Sequence, residues 1–91
     1  MLRIIAYDIA NNRRRTQVVR TLEGYGHRVQ ESVFECHLDT PTYNRLQQEI
    51  AQHINLEDDL VRYYSLCPKD VADIQTAGCG AITTDTQFYW I

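Results

Sequence analysis

The sequence predicts an α+β sandwich in which two helices pack on one face of an antiparallel sheet. Three observations point there: strand and helix patterns alternate along the chain, both helical stretches are amphipathic, and the first strand is apolar on both faces. With 91 residues, 44% hydrophobic and 23% charged, the chain is a single small folded domain. That length leaves no room for a second core or an eight-fold barrel.

Residues 2–9 read as the first strand. Leu2, Ile4, Ala6 and Asp8 share one face, and Arg3, Ile5, Tyr7 and Ile9 share the other. A strand apolar on both sides is central and covered twice, or meets another chain. Asn11 and Asn12 can cap a helix expected from about Arg13 to Gly24. Val18, Val19, Leu22 and Tyr25 fall on its inner side, while Arg13, Arg14 and Arg20 stay outside. Gly24 and Gly26 flank Tyr25 and supply the stop. Three arginines in the first turn oppose the helix dipole, so something other than helix stability favours them.

Residues 27–38 have strand composition throughout. They fit one long strand, or two short strands around a turn near Glu31-Ser32. Thr40 as cap and Pro41 at the first helical position open a second helix, which Tyr43, Leu46, Ile50 and Ile54 carry through residue 54. Leu60–Leu66 is another strand, Cys67-Pro68-Lys69-Asp70 a turn, and Val71–Ala77 a weaker extended stretch. After Gly78 and Gly80 comes Thr83–Ile91, apolar and aromatic, a candidate for docking on a neighbour or a partner chain. If residues 27–38 supply two strands, the order is the ferredoxin-like βαββαβ sandwich over residues 1–80. Residues 81–91 then form a C-terminal extension with an additional strand. The second apolar face of the first strand has no helix over it, and a homodimer is the economical cover.

The formal charge of −3 conceals an uneven distribution. Residues 1–28 hold six arginines against two acids, a balance of +4, and the remainder carries −7. The net value alone argues against a nucleic-acid partner; the distribution does not. Cys36, Cys67 and Cys79 are odd in number and lack a C-x-x-C spacing, which excludes a closed disulfide framework and fits a reducing compartment. The opening residues are too soon interrupted for a signal peptide, and no apolar run approaches the ~20 residues of a membrane span. A soluble, cytoplasmic protein with no membrane partner is expected.

Asp8 is the sharpest chemical feature. An acid at the end of an apolar central strand must be hydrogen-bonded, metal-bound or at the rim. It either braces the turn into the first helix or ligates a divalent cation such as Mg2+, which a single carboxylate holds weakly. Arg13, Arg14 and Arg15 follow a few residues later, and Arg28 could reach the same sheet edge. A carboxylate among guanidiniums suits phosphodiester cleavage, with metal to activate water and Arg to hold the backbone. The chain has no Gly-rich phosphate loop, no serine with an evident base partner and no metal-ligand spacing among His27, His37 and His53. The aromatics Tyr7, Tyr63, Tyr64, Phe34 and Trp90 fit a core or interface better than base stacking.

Tyr7-Asp8-Ile9, the arginine-rich helix start, Glu23-Gly24-Tyr25-Gly26-His27-Arg28-Val29-Gln30 and Ser32-Val33-Phe34-Glu35-Cys36 together resemble the Cas-two family. These are the small CRISPR-associated proteins of the spacer-acquisition module, and the resemblance covers essentially the whole chain. It implies a ferredoxin-like homodimer, a metal-dependent endonuclease on RNA or DNA, and partnership with the CRISPR integrase. It also implies that Asp8 is the metal-binding catalytic acid, with Tyr7 its neighbour, Arg15 and Arg28 at the substrate, and Phe34 an aromatic near the site. The Arg13–Arg15 cluster serves cleavage and scaffolding alike, since both need a phosphate-binding surface. A non-catalytic nucleic-acid scaffold for the integrase and a VapD-like toxin endoribonuclease are the alternatives.

Overall fold

A computed structural model describes residues 1–67 of the chain. Six elements follow in order: β1 (Leu2–Asp8), α1 (Asn12–Glu23), β2 (His27–Gln30), β3 (Val33–His37), α2 (Thr40–Ala51) and β4 (Leu60–Leu66). They form one four-stranded sheet in the order β2-β3-β1-β4, antiparallel throughout. This is the expected ferredoxin-like topology with β1 central. Residues 27–38 are a hairpin rather than one strand. Its pairing is irregular: Arg28 lies opposite Phe34 and Gln30 opposite Val33, so Val29 is an extra residue, a bulge.

Both helices lie on one face. Val18 and Leu22 of α1 and Leu46 and Ile50 of α2 are fully buried against Ile5, Tyr7, Ile9, Phe34 and Cys36. Burying each such aliphatic side chain stabilises the fold by about 1.5–3 kcal/mol. The helix starts differ by one residue from expectation. Asn11 is the α1 cap, its side chain accepting from the Arg14 N–H at 2.9 Å, so Asn12 is already helical. Asp39, not Thr40, caps α2, accepting from the Thr42 N–H at 3.0 Å. A carboxylate there answers the positive end of the helix better than a hydroxyl. α2 closes at Ala51, and Ile54 packs on the core from the turn beyond it.

The opposite face of the sheet carries a second cluster: Leu2, Ile4 and Val33 are buried, with Ala6, Val29, Tyr64 and Leu66 packed against them. Ile4 is 0% exposed in the single chain, so burial of its centre does not by itself require a second copy. Arg3, on the helix face, is buried as well. Its guanidinium donates to the Ser65 hydroxyl at 2.8 Å and the Leu38 carbonyl at 3.3 Å, and lies 4.1 Å from the Tyr43 ring centroid. The expected additional strand, the 80/81 boundary and the aromatic C-terminal segment lie outside the described residues.

Candidate functional site

β1 alternates to its last residue, and the site follows from that alternation. Tyr7 points into the helix-side core and is 5% exposed, whereas Asp8, next along, is exposed. Two hydrogen bonds tie Tyr7 to the β2–β3 turn: its N–H donates to the Ser32 carbonyl at 3.0 Å and its hydroxyl to the Glu31 carbonyl at 2.8 Å. Burial raises the Tyr7 phenol above its usual pKa of 10.0, against the opposing pull of Arg28 and Arg15. It is therefore a fixed donor, not a base, at neutral pH. The Asp8 carboxylate makes no hydrogen bond or ion pair among the described residues. It does not brace the turn into α1; Asn11 does.

Asp8 stands on a ridge between two depressions. On the helix side is a cleft of about 640 Å³ walled by Tyr7, Arg15, Arg28, Glu31 and Ser32. On the other side is a groove of about 270 Å³ that Asp8 shares with Ser32, Gln30, Leu60 and Arg62. Arg15 is braced at the cleft wall by donating to the carbonyls of Ile9 at 2.9 Å and Ala10 at 3.2 Å, and to the Asn12 side chain. Arg28 is exposed, with its guanidinium 5.6 Å from the Phe34 ring centroid. Phe34 itself is 0% exposed and sits 6.3 Å from the Tyr7 ring. Phe34 is therefore a core aromatic near the site, and its ring supports Arg28 and Tyr7 from beneath.

The three sequential arginines do not act together. Arg15 lines the cleft, Arg13 is exposed without an ion pair among the described residues, and Arg14 is committed elsewhere. The Arg14 fork donates to both oxygens of Asp59, Nε to Oδ2 at 2.7 Å and Nη2 to Oδ1 at 3.1 Å. The Asn55 N–H adds a third bond to Oδ2 at 2.8 Å, and the Asp59 side chain is 1% exposed. This pair ties the start of α1 to the loop before β4, and it already matches the Arg14 charge with a buried carboxylate, which weakens its pull on a phosphate. The sequence offers no local sign of it, since the partners are 45 residues apart.

The Arg14 hydrogen bonds, with the Asn55 N–H behind them, hold the Asp59 carboxyl below the usual 3.8. A depressed acid contributes stability that is present above 3.8 and lost as pH falls through its lower folded value. Asp59→Asn should therefore lower the melting temperature at neutral pH and flatten its decline below pH 4. Melting curves of wild type, Asp59→Asn, Arg14→Gln and the double variant would check this; the double should cost little more than either single change.

The comparison with known proteins follows the same outline. A family model described as CRISPR associated protein Cas2 matches residues 1–74. The chain belongs to the Cas2 family. It is 40% identical over 92 residues to the CRISPR-associated endoribonuclease Cas2 1 of Chloroflexus aurantiacus, covering 100% of this chain and 99% of that protein. Among solved structures, Streptococcus pyogenes Cas2 at pH 6.5 superposes with a TM-score of 0.74 and 28% identity, covering 86% of this chain and 100% of the other. A chain from a structure described as a partial Cas6-RT-Cas1–Cas2 complex gives a TM-score of 0.65 at 32% identity, covering 82% and 88%. Membership of the Cas2 family displaces the toxin alternative.

Proposed function

We propose that this Cas2 chain is a divalent-metal-assisted endonuclease of CRISPR spacer acquisition, cutting phosphodiester bonds with Asp8 as its acid. The observation that carries the proposal is the exposed Asp8 carboxylate at the end of β1, without a partner among the described residues and beside a cleft walled by Arg15 and Arg28. The name of the Chloroflexus relative supports RNA as a substrate, and the Cas1–Cas2 assembly supports association with the integrase.

Among the described residues, no three His, Cys, Asp or Glu side chains gather as a metal site. One carboxylate fits magnesium in the manner of ions that keep several waters and take remaining ligands from substrate phosphate. A second copy of the chain would add a second Asp8, so the homodimer we propose has a chemical reason beyond burial. When bound, the ion offsets phosphate charge and makes water a better nucleophile. The chain's own residues position the substrate. Arg28, over the Phe34 ring, presents its planar fork to a phosphate, and Arg15 keeps donors in reserve beyond the loop carbonyls it holds. Tyr7 fixes the strand end against the β2–β3 turn, so Asp8 is displayed from a rigid support.

Labelled single-stranded RNA and duplex DNA, each incubated with and without magnesium, test the proposal. Cleavage of at least one substrate is expected with the metal, and excess chelator should abolish it. Full cleavage in chelator would overturn the metal; binding without any cleavage would leave the scaffold role.

A further inference from the structure

Glu31 is the charged side chain of the helix-side cleft that the proposed chemistry does not use. It lies in the β2–β3 turn, exposed, along the same cleft as Arg15 and Arg28. Tyr7 pins that turn at both of its residues: the hydroxyl donates to the Glu31 carbonyl and the N–H to the Ser32 carbonyl. After burial, the Tyr7 phenol responds most to the charges of Arg28, Arg15 and Glu31, so these groups gather about its hydroxyl. Among the described residues the Glu31 carboxylate nevertheless pairs with neither guanidinium. In the homodimer a second copy covers the sheet face away from the helices, so a substrate approaches Asp8 through this cleft.

A carboxylate here opposes the phosphates that Arg15 and Arg28 attract, unless the ligand brings it a hydrogen-bond donor. Phosphodiesters have none, and the bases carry theirs on their Watson–Crick edges. The cleft, about 640 Å³, is within the range of small-ligand sites, about 300–1,000 Å³, and has room for a nucleotide splayed from a single strand. Val19 and Ile9 add apolar lining for the flat face of a base. Unstacked bases of single-stranded RNA are commonly read in this way. Guanine alone among the four sets two donors side by side, N1–H and the N2 amino group, to match two carboxylate oxygens. Adenine and cytosine place an acceptor nitrogen beside their amino group, and uracil has a carbonyl on each side of its N–H. We infer that Glu31 is a specificity-determining residue, accepting the Watson–Crick edge of a guanine in single-stranded RNA while the cleft arginines hold the phosphate. The inference rests on the proposed nuclease site and deepens it. The competing explanations are a second ligand for a metal at Asp8 and a turn charge that only meets water.

The experiment measures binding of fluorescein-labelled oligouridines, identical but for one central guanine, inosine or adenine, to wild type, Glu31→Gln and Glu31→Ala. Excess chelator in every sample prevents metal-dependent cleavage and any metal bridge. Wild type should bind the guanine RNA about tenfold tighter than the adenine RNA, the discrimination that one bidentate base contact provides. The inosine RNA, which lacks the N2 amino group, should fall between them. Both variants should bind all three RNAs alike, and no more weakly than wild type binds the adenine RNA, because an anion is removed beside the guanidiniums. No guanine preference in wild type, or one that Glu31→Gln retains, overturns the inference. So does loss of magnesium-dependent cleavage of all three RNAs in Glu31→Gln without a wild-type preference, which would make Glu31 a metal ligand. A guanine preference in a wild type that cuts none of the RNAs overturns the nuclease instead and leaves the subsite, so the two failures are distinguishable.

Discussion

Asp8→Asn should reduce cleavage by at least about 100-fold, the low end of what a group acting at the reacting centre contributes. The melting temperature should not change. The carboxylate is exposed and makes no bond among the described residues, so its replacement by an isosteric amide removes no folded contact. Nucleic-acid affinity should persist or rise, because an anion is removed beside a cationic cleft. Association with the integrase should survive for the same structural reason. Gel assays on RNA and DNA, alongside melting curves, would separate these readouts. Cleavage at the wild-type rate by a folded Asp8→Asn protein would remove Asp8 from the chemistry.

Gly26→Ala should be the most destabilising change between α1 and β2. A Cβ at Gly26 would lie 2.2 Å from the Glu35 carbonyl oxygen, 2.5 Å from Cys36 Sγ and 2.9 Å from Cys36 Cα. Two of these are backbone atoms of β3, which cannot rotate away as a side chain would. Overpacking typically costs 1–3 kcal/mol, and the backbone contacts place this case at about 3 kcal/mol or above. For a domain of this size that is a fall in melting temperature of more than about 10 °C. Gly24→Ala is the internal control: φ is −75° and the nearest atom to a new Cβ is 3.4 Å away. It should be close to neutral. Cys36→Ala should fail to rescue Gly26→Ala, because the Glu35 carbonyl remains in place. Equal melting temperatures for the two glycine variants would overturn the close-approach explanation.

The fold was legible because two periodicities are written plainly. Val18 with Leu22, and Leu46 with Ile50, mark single helix faces, and all four are buried. The helix starts were legible only to within a residue. Asp39 and Thr40 are both capping types, and which oxygen turns back to the chain is settled by local backbone geometry. Asp8 stood out as an acid ending an apolar strand. Asp59 did not, because its significance lies in Arg14, which only tertiary folding brings near. For Phe34 the resemblance gives a place near the site and residue type gives the core, and packing joins the two: the buried ring lies beneath Arg28. Nothing in the strand pattern shows what meets Arg3; neutral acceptors and the Tyr43 ring, all distant in sequence, make its burial tolerable. Gly26 was readable as a helix stop, while its tighter constraint comes from β3, nine and ten residues on.

The extra residue at Val29 decides which side of the molecule each polar group of the hairpin serves. With it, Arg28 is held on the helix side over Phe34, while Val29 joins the apolar cluster of the open face and Gln30 lines the groove there. Strict alternation would return Gln30 to the side of Arg28. Hairpin length in this fold is thus a chemical variable. Among related chains, an insertion or deletion of one residue here would redistribute hydrogen-bonding groups between the two faces of the sheet with no substitution at all, so gaps in this segment matter as changes of residue do.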